Sequence, residues 1–393
     1  MFQPTLSSNI WKLYLIKALT WFLVMMPIMV LFLQDNGLSM TQVLLLQVAF
    51  SAAVVLFEVP SGYFSDRLSR RVSIIIGSFL SFLAFFIYSL SFGFFGFLVA
   101  ELILGLAVSF ISGADSALLY DTLLSLQKSQ EYKKLEGRFS AIGNFSESSA
   151  GILGGFLALI SLRFPLYIET LVILLAVPVA FSLVEPVRHK AQHATSSWKS
   201  ILKIVKYSLH DHAEIKWLIL YSAVIAASTF TMVWFIQPYW QMVGVPLILF
   251  GVLWAALNAS VGLFSIWAHR LENMLGRKKS LMSLIFFIAI AYFLLGVFQS
   301  IWAIAFMFII YFVRGINTPI IKDYINQRIS SDIRATVLSV QSLAFRLVFC
   351  IVGPLIGWLN DLYSLKVAFL SASAIFLFFG LVSLFFLHKH QAL

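Results

Sequence analysis

Long apolar runs, each bounded by charged or turn residues, recur along almost the whole chain. In the first half they lie near residues 11–33, 41–64, 72–90, 94–120, 139–160 and 165–183. In the second half they lie near residues 215–243, 247–268, 281–297, 301–320, 335–358 and 365–387. Because a transmembrane helix needs about 20 consecutive apolar residues, this pattern predicts an all-α integral membrane protein with twelve transmembrane helices in two six-helix bundles.

The composition agrees with a membrane environment. Of the 393 residues, 61% are hydrophobic and 11% are charged, whereas a soluble domain has about 25% charged residues. This excludes a disordered or nucleic-acid-binding protein, and the single cysteine excludes a disulfide scaffold. We expect bundles at 1–184 and 215–393, joined by a polar connector at 185–214. Apolar residues at helical spacing in this connector predict an amphipathic helix on the membrane face.

The positive charges predict the orientation in the membrane. One set of alternate loops contains Arg67, Arg70, Arg71, Lys128, Lys133, Lys134, Arg138, Arg270, Arg277, Lys278, Lys279, Lys322, Arg328 and Arg334, together with the basic connector. The opposite set contains only Arg163 and Lys366. Since cytoplasmic loops carry the excess of Lys and Arg, we expect both termini and the connector to be cytoplasmic. We assign the chain to a bacterial inner membrane.

An internal repeat relates the two halves. Residues 112–121, at the end of the fourth span, align with residues 314–323 at the end of the tenth. The glycine-rich residues 150–155 in the fifth span align with residues 353–358 in the eleventh. The repeat predicts two bundles of the same orientation, an architecture suited to rocking one bundle against the other.

A short motif connects the chain to a known family. Residues 62–71 read Gly-Tyr-Phe-Ser-Asp-Arg-Leu-Ser-Arg-Arg, which resembles the signature loop G-x-x-x-D-R-x-G-R-R of the major facilitator superfamily. Ser69 departs from the glycine of that pattern. A degenerate counterpart lies around Glu272 and residues 276–279. The glycine-rich runs resemble the antiporter motif of the superfamily's drug exporters, but Glu101 stands where those exporters carry an arginine.

The resemblance implies a cytoplasmic gate. It is formed by Gly62, Asp66, Arg67, Arg70, Arg71 and Asp121 in the first half, and by Asp323 and Arg334, with Lys278, in the second. We expect Asp66 to face the positive N-terminal end of the eleventh helix and Asp121 to hold the loop arginines. The alternative is that these charges only pin the loop.

Ionisable residues within apolar runs are costly and therefore indicate a function or a partner. Lys17, Glu58 and Asp115 lie at similar depths. In the superfamily the first and fourth helices line the central path, which implies that Lys17 and Asp115 could meet there. Their pair could be static or could form a proton or substrate site. We expect Glu58 to brace the signature loop, although it also remains a candidate for proton coupling.

Further charges lie deeper in the spans. Glu101 and Glu147 join Asp115 and Glu58 as proton-coupling candidates, with Glu147 preferred, because burial in hydrocarbon favours the protonated form of a carboxyl group. Arg314 and Arg346 remain charged, so they could bind an anionic group or pair with acids of the other bundle.

Aromatic and amide side chains suggest a substrate path. Trp234, Gln237 and Tyr239 surround Pro238 in the seventh span, where they could hold an amphipathic ligand or form an interfacial aromatic belt. Further candidates for the path are Lys17, Trp21, Met25, Asn258, Arg314, Asn317 and Arg346.

The motifs favour a transporter over an enzyme. The sequence contains no catalytic set, no metal-ligand motif and no nucleotide-binding loop, so we expect no cofactor. We predict a proton-coupled secondary transporter that exports an amphipathic small molecule by alternating access. A proton-driven importer of a small polar or anionic solute is the alternative, and a channel is disfavoured. The expected partners are the substrate, protons and the lipid bilayer, with no nucleic acid, and we expect a monomer.

Overall fold

The computed structural model describes residues 5–186, 210, 212–329 and 333–390, apart from the side chains of residues 334 and 335. Every regular element in these ranges is helical. The helices of the first half are α1 Ser8–Thr20, α2 Met29–Asp35, α3 Met40–Arg67, α4 Arg70–Leu90, α5 Gly93–Ile111, α6 Ala114–Ser125, α7 Tyr132–Leu157 and α8 Phe164–Phe181. Those of the second half are α9 Ala213–Met242, α10 Ile248–Val297, α11 Ala305–Asn326, α12 Arg334–Leu362 and α13 Leu365–Lys389.

Length and hydropathy identify membrane-spanning helices within the described ranges. Nine helical segments there are long and apolar enough to cross a bilayer. Large apolar side chains point outward from them: Phe95 is 79% exposed and Ile266 is 75% exposed. Because lipid tails solvate such side chains, this pattern confirms the predicted all-α membrane architecture.

The chain divides into two compact units. The first consists of Met1–Leu38, Leu46–Gln192 and Leu247–Ala255, and the second of Ser39–Leu45, His193–Pro246 and Ala256–Leu393. Residues 39–45 come from the first half of the sequence but belong to the second unit. Residues 247–255 come from the second half but belong to the first unit. The amphipathic helix predicted in the connector lies outside the described residues.

The first span, predicted from the apolar run 11–33, is broken into two helices. α1 ends at Thr20, residues 21–25 are not helical, and a 3-10 turn over Met26–Ile28 leads into α2. Pro27 explains the break, since proline has no N–H and its ring clashes with the carbonyl group four residues earlier. The helix is therefore interrupted just before this proline.

The fourth span is also broken. α5 ends at Ile111 and α6 begins at Ala114, with Gly113 between them at φ 79°. Residues with a side chain rarely adopt this left-handed backbone conformation, so glycine is required for the turn. The eighth and ninth spans form α10, which turns at Gly276 with φ 73°.

Glycines allow helices to approach each other closely in each unit. In the first unit, a Cβ atom at Gly154 would lie 2.0 Å from the Val24 carbonyl oxygen, and one at Gly251 would lie 2.2 Å from the Gly151 carbonyl oxygen. In the second unit, a Cβ atom at Gly357 would lie 3.1 Å from the Met40 carbonyl oxygen. The glycine-rich runs noted in the sequence thus contribute packing surfaces.

Candidate transport site

A lysine beside the break in the first span packs between aromatic rings. Lys17 Nζ lies 4.2 Å from the centroid of the Trp21 ring and 5.0 Å from that of Phe139. Gly143 leaves room for this side chain, because a Cβ atom there would lie 3.0 Å from Lys17 Cε. The ammonium group is therefore stabilised by cation–π interactions.

Two carboxylates also act on Lys17. Asp115 and Glu136 both interact electrostatically with Lys17. In the described ranges, however, no direct ion pair joins Lys17 to Asp115, which corrects the expected contact. The ring faces hold the ammonium group, while Asp115 Oδ1 accepts the Ser116 N–H at 2.7 Å.

We define the Lys17 cluster as Lys17, Trp21, Asp115, Glu136 and Phe139. Ser116 Oγ donates to Glu136 Oε1 at 2.6 Å and so links the fourth and fifth spans. Trp21 is 38% exposed, and the three charged side chains are half-buried. The cluster thus offers ring faces, a cation and two anions to a ligand that is partly apolar and partly charged.

The remaining proton-coupling candidates differ in their surroundings. Glu101 is 3% exposed, and its Oε1 accepts hydrogen bonds from Gln47 Nε2 and the Tyr88 hydroxyl, both at 2.8 Å. Glu147 is half-buried, whereas the Glu58 side chain is exposed. Among these acids, Asp115 is the one that the structure places in the Lys17 cluster.

A buried acid that the sequence analysis missed lies in α8. Glu169 is 1% exposed, and its Oε2 accepts the N–H of Met25 at 2.7 Å. Met25 itself is buried, at 2% exposure, in the broken part of the first span. The signal was available in the sequence, because Glu169 is the one acidic residue within the apolar run 165–183.

Two aspartates of the gate contact Arg70 of the signature loop. Arg70 forms an ion pair with Asp121, and its Nη1 donates to the Ala117 carbonyl oxygen at 2.7 Å. Asp66 Oδ1 lies 4.0 Å from Arg70 Nη2, and the Asp66 side chain is 74% exposed. The Arg67 guanidinium group lies 5.4 Å from the centroid of the Tyr63 ring.

Glu185, a second residue missed in the sequence, caps the start of α4. Its carboxylate accepts the Ser69 hydroxyl at 2.7 Å and the N–H groups of Arg70 and Arg71 at 3.2 and 2.8 Å. Ser69 has extended backbone at φ −168° and its Oγ accepts the Val72 N–H at 3.1 Å. Serine therefore serves as the N-cap where the family pattern has glycine. A Cβ atom at Gly62 would meet open space.

The corresponding loop of the second unit uses different residues. Glu214 forms an ion pair with Arg328 and lies 3.5 Å from Arg277 Nη2. The Tyr324 hydroxyl donates to Glu272 Oε1 at 2.8 Å, and the Arg277 guanidinium group lies 4.4 Å from the Tyr324 ring centroid.

The acid predicted for this second loop has a different neighbour. Asp323 Oδ2 accepts a hydrogen bond from Gln327 Nε2 at 2.7 Å. The Arg334 side chain lies outside the described residues.

The aromatic candidates of the seventh span are buried. Trp234, Gln237 and Tyr239 are 4%, 1% and 0% exposed. The Tyr239 hydroxyl donates to the Phe298 carbonyl oxygen at 2.7 Å. These side chains are therefore packed inside the protein.

The other candidates of the second half differ in exposure. Asn317 is 6% exposed, whereas Asn258, Arg314 and Arg346 are half-buried. The Arg314 guanidinium group lies 5.7 Å from the centroid of the Tyr311 ring.

Comparison with known proteins shows the same architecture. The family model described as Major Facilitator Superfamily matches residues 10–353. Quinolone resistance protein NorA from Staphylococcus aureus (strain MRSA252) is 27% identical over 141 residues, which cover 36% of this chain and 35% of NorA. The matched part therefore spans about a third of that relative.

Solved structures agree over nearly the whole chain. The nucleoside transporter NupG superimposes with a TM-score of 0.80 at 14% identity, covering 98% of this chain and 99% of NupG. A D-xylose-proton symporter superimposes with a TM-score of 0.72 at 15% identity, covering 97% of each chain. At these identities the likeness concerns the fold.

Proposed function

Because this chain belongs to the Major Facilitator Superfamily, we propose that it is a proton-coupled secondary transporter that exports an amphipathic small molecule by alternating access. The family membership makes it a membrane carrier and not an enzyme. Proton coupling, direction and substrate class are the proposed parts.

The proposed substrate class rests on the Lys17 cluster. It lies where two spans are broken, and broken helices in carriers commonly border the substrate site. The Trp21 and Phe139 rings can stack on an apolar body, while Asp115, Glu136 and Lys17 can recognise its charged groups. An amphipathic ligand matches this combination better than a uniformly polar one.

Intramembrane acids support coupling to protons. Glu147, Asp115, Glu101 and Glu58 remain the candidates, and we assign the principal role to Glu147. Hydrocarbon surroundings favour the neutral, protonated form of a carboxyl group. Such a group can therefore take up a proton on one side of the membrane and release it on the other.

Export is supported by the partial similarity to NorA, whose name describes quinolone resistance. Quinolones are amphipathic and therefore make suitable first test compounds. The alternative, proton-driven import of a small polar or anionic solute, is favoured by the buried amides Gln237 and Asn317 and by the half-buried Arg314 and Arg346 of the second half. The D-xylose-proton symporter shares only the fold.

The gate residues would act at the cytoplasmic side. In this proposal Asp66 faces the N-terminal end of α12 while that side is closed, with Gly62, Arg67, Arg70, Arg71 and Asp121 holding the loop. Asp323 and Arg334 would act in the second half. The protein would work as a monomer in a bacterial inner membrane, with both termini cytoplasmic.

Proteoliposomes containing the purified protein test this proposal. A fluorescent quinolone and a panel of other amphipathic compounds should be transported saturably, and an imposed pH gradient should change the rate. The Trp21→Ala variant should raise KM severalfold because one ring face is lost, whereas Trp11→Ala should not. Trp11 lies on α1, the helix that ends just before Trp21, and is 56% exposed. If Trp21→Ala leaves KM unchanged for every transported compound, the Lys17 cluster is not the substrate site.

A further inference from the structure

The break in the first span leaves backbone groups that must find partners outside the helix. The Met25 N–H has no helical acceptor, because the chain enters the 3-10 turn only at Met26. Val24 and Met25 are buried, at 0% and 2% exposure. The Val24 N–H donates to the Phe22 carbonyl oxygen at 3.1 Å. Since water cannot satisfy the Met25 N–H inside a membrane protein, another segment has to supply its acceptor.

Glu169 of α8 supplies that acceptor. Its Oε2 accepts the Met25 N–H at 2.7 Å, and the carboxylate also interacts with the N–H of Val24. Gly154 of α7 gives the Val24 carbonyl oxygen the space that a Cβ atom would fill. The broken segment is therefore held between one carboxylate and one glycine.

Glu169 lacks a neighbouring cation in the described part of the chain. The elements packed against α8 are α1, α4 and α7. Their titratable side chains are Lys12, Tyr14, Lys17, Arg70, Arg71, Tyr88, Tyr132, Lys133, Lys134, Glu136, Arg138 and Glu147.

Three of these basic and hydroxyl groups have other partners. Lys12 donates to the Ser182 carbonyl oxygen, Lys17 lies on aromatic rings, and the Tyr88 hydroxyl donates to Glu101. At the N-cap of α8, the Arg163 guanidinium group donates to Asn36 and to two backbone carbonyl oxygens. Within the described ranges, the partners of the Glu169 carboxylate are therefore backbone N–H groups.

We propose that Glu169 is a proton-binding site whose charge state fixes the broken segment 21–25 and, through it, the position of Trp21 in the Lys17 cluster. The proposal rests on the proposed function, since it gives the proton a place to act on the substrate site. Glu169 is a positioning residue in this scheme, because it contacts the backbone of the first span.

The two charge states hold the segment differently. A carboxylate accepts hydrogen bonds at both oxygens, and charge assistance makes these bonds about twice as strong as neutral ones. A protonated carboxyl group keeps one good acceptor and gains an O–H donor that faces backbone N–H groups. Protonation therefore loosens residues 21–25, and Trp21 at their start can move relative to Phe139.

Hydrogen exchange measures this effect directly. The full chain in lipid nanodiscs is exchanged at a mildly acidic and a mildly alkaline pH, and rates for peptides spanning 20–28 are corrected for the intrinsic pH dependence of exchange. We expect protection in the wild type to fall by roughly tenfold at acidic pH, the factor expected for the loss of one ordinary hydrogen bond. Glu169→Gln should show the low protection at both pH values.

Glu101→Gln is the matched control. Glu101 is also buried without a cation in the described ranges, but its partners are the side chains of Gln47 and Tyr88. This variant should keep the wild-type pH response over 20–28. If Glu169→Gln does not fold, the pH dependence of protection over residues 20–28 in the wild type tests the proposal.

The possible outcomes separate the two proposals. A pH response in the wild type that Glu169→Gln removes supports the proton site. Protection that ignores pH in the wild type, or a pH response that persists in Glu169→Gln, overturns it. If the switch is present while transport ignores an imposed pH gradient, proton coupling is wrong and the Glu169 site stands.

Discussion

The carboxylate of Asp361 holds the backbone of Thr41, 320 residues earlier in the chain. Asp361 Oδ2 accepts the Thr41 N–H at 2.7 Å and the Thr41 hydroxyl at 2.5 Å, and Oδ1 accepts the Met40 N–H at 2.9 Å. The end of α12 thus caps the start of α3 within the second unit. Gly357, one helical turn earlier, allows the close approach. An acid on one span satisfies the unpaired N–H groups at the start of another.

This contact predicts that Asp361→Asn loosens the start of α3. An amide has one acceptor oxygen and no charge. We therefore expect the contact to lose about 0.5–1.5 kcal/mol of stabilising free energy for each hydrogen bond that is not formed. A cysteine placed at Leu45 in a Cys350→Ser background should then react several times faster with an aqueous maleimide.

Asp35→Asn is the control for that labelling experiment. Asp35 is an exposed aspartate at the end of α2, on the same predicted side of the membrane, with no side-chain hydrogen bond in the described ranges. Equal labelling in the Asp361→Asn and Asp35→Asn variants would show that the Asp361 contact does not hold α3.

Ser69 gives a second prediction. Ser69→Gly restores the glycine of the family pattern but removes the N-cap to Val72 and the hydrogen bond to Glu185. We expect the variant to be less stable by about 0.5–2 kcal/mol, read as a lower unfolding temperature in detergent. Ser300→Gly serves as the control, because Ser300 has extended backbone and no side-chain cap. A Ser69→Gly variant as stable as the wild type would contradict this role.

Sequence alone predicted the fold well and the local geometry less well. Hydropathy indicates the number of spans because each span is a long apolar run. The breaks at residues 21–25 and Gly113 depend on single residues, Pro27 and Gly113, whose effect on a long apolar run is weak. The capping roles of Glu185 and Asp361 depend on contacts between segments far apart in sequence, which periodicity does not encode.

Gly154→Ala tests the packing of the broken span. Its Cβ atom would lie 2.0 Å from the Val24 carbonyl oxygen, so the first span would have to move. Overpacking of this kind costs about 1–3 kcal/mol. On the same helix, a Cβ atom at Gly137 would meet nothing within 4 Å. We expect Gly137→Ala to be neutral or stabilising in thermal unfolding, and equal effects of the two substitutions would argue against the close contact.

Double-mutant cycles distinguish a direct ion pair from a longer-range interaction. Arg70 and Asp121 are paired directly, so their coupling energy should fall in the range of about 0.5–3 kcal/mol seen for contacting residues. Lys17 and Asp115 interact without direct contact, so the cycle of Lys17→Gln with Asp115→Asn should give a smaller value. Unfolding in detergent provides the energies. A larger coupling energy for Lys17 and Asp115 than for Arg70 and Asp121 would contradict our assignment of the direct ion pair to Arg70 and Asp121.

The Lys17 cluster shows why the site was only partly predictable. The depth of Lys17 and Asp115 in their spans indicated that they could meet, and both do lie in one cluster. Glu136 was missed because it lies within the basic run 133–138, where an acid resembles an ordinary loop charge. Phe139 was missed because one phenylalanine among 39 carries no distinguishing signal.

Proton movement in proteoliposomes loaded with a pH-sensitive dye tests proton coupling most directly. When a transported compound is supplied on one side, the wild type should move protons in the direction opposite to the compound. Glu147→Gln should stop the proton movement while exchange of labelled for unlabelled compound continues. Accumulation of the compound by the wild type with no accompanying proton movement would contradict the proton-coupled mechanism.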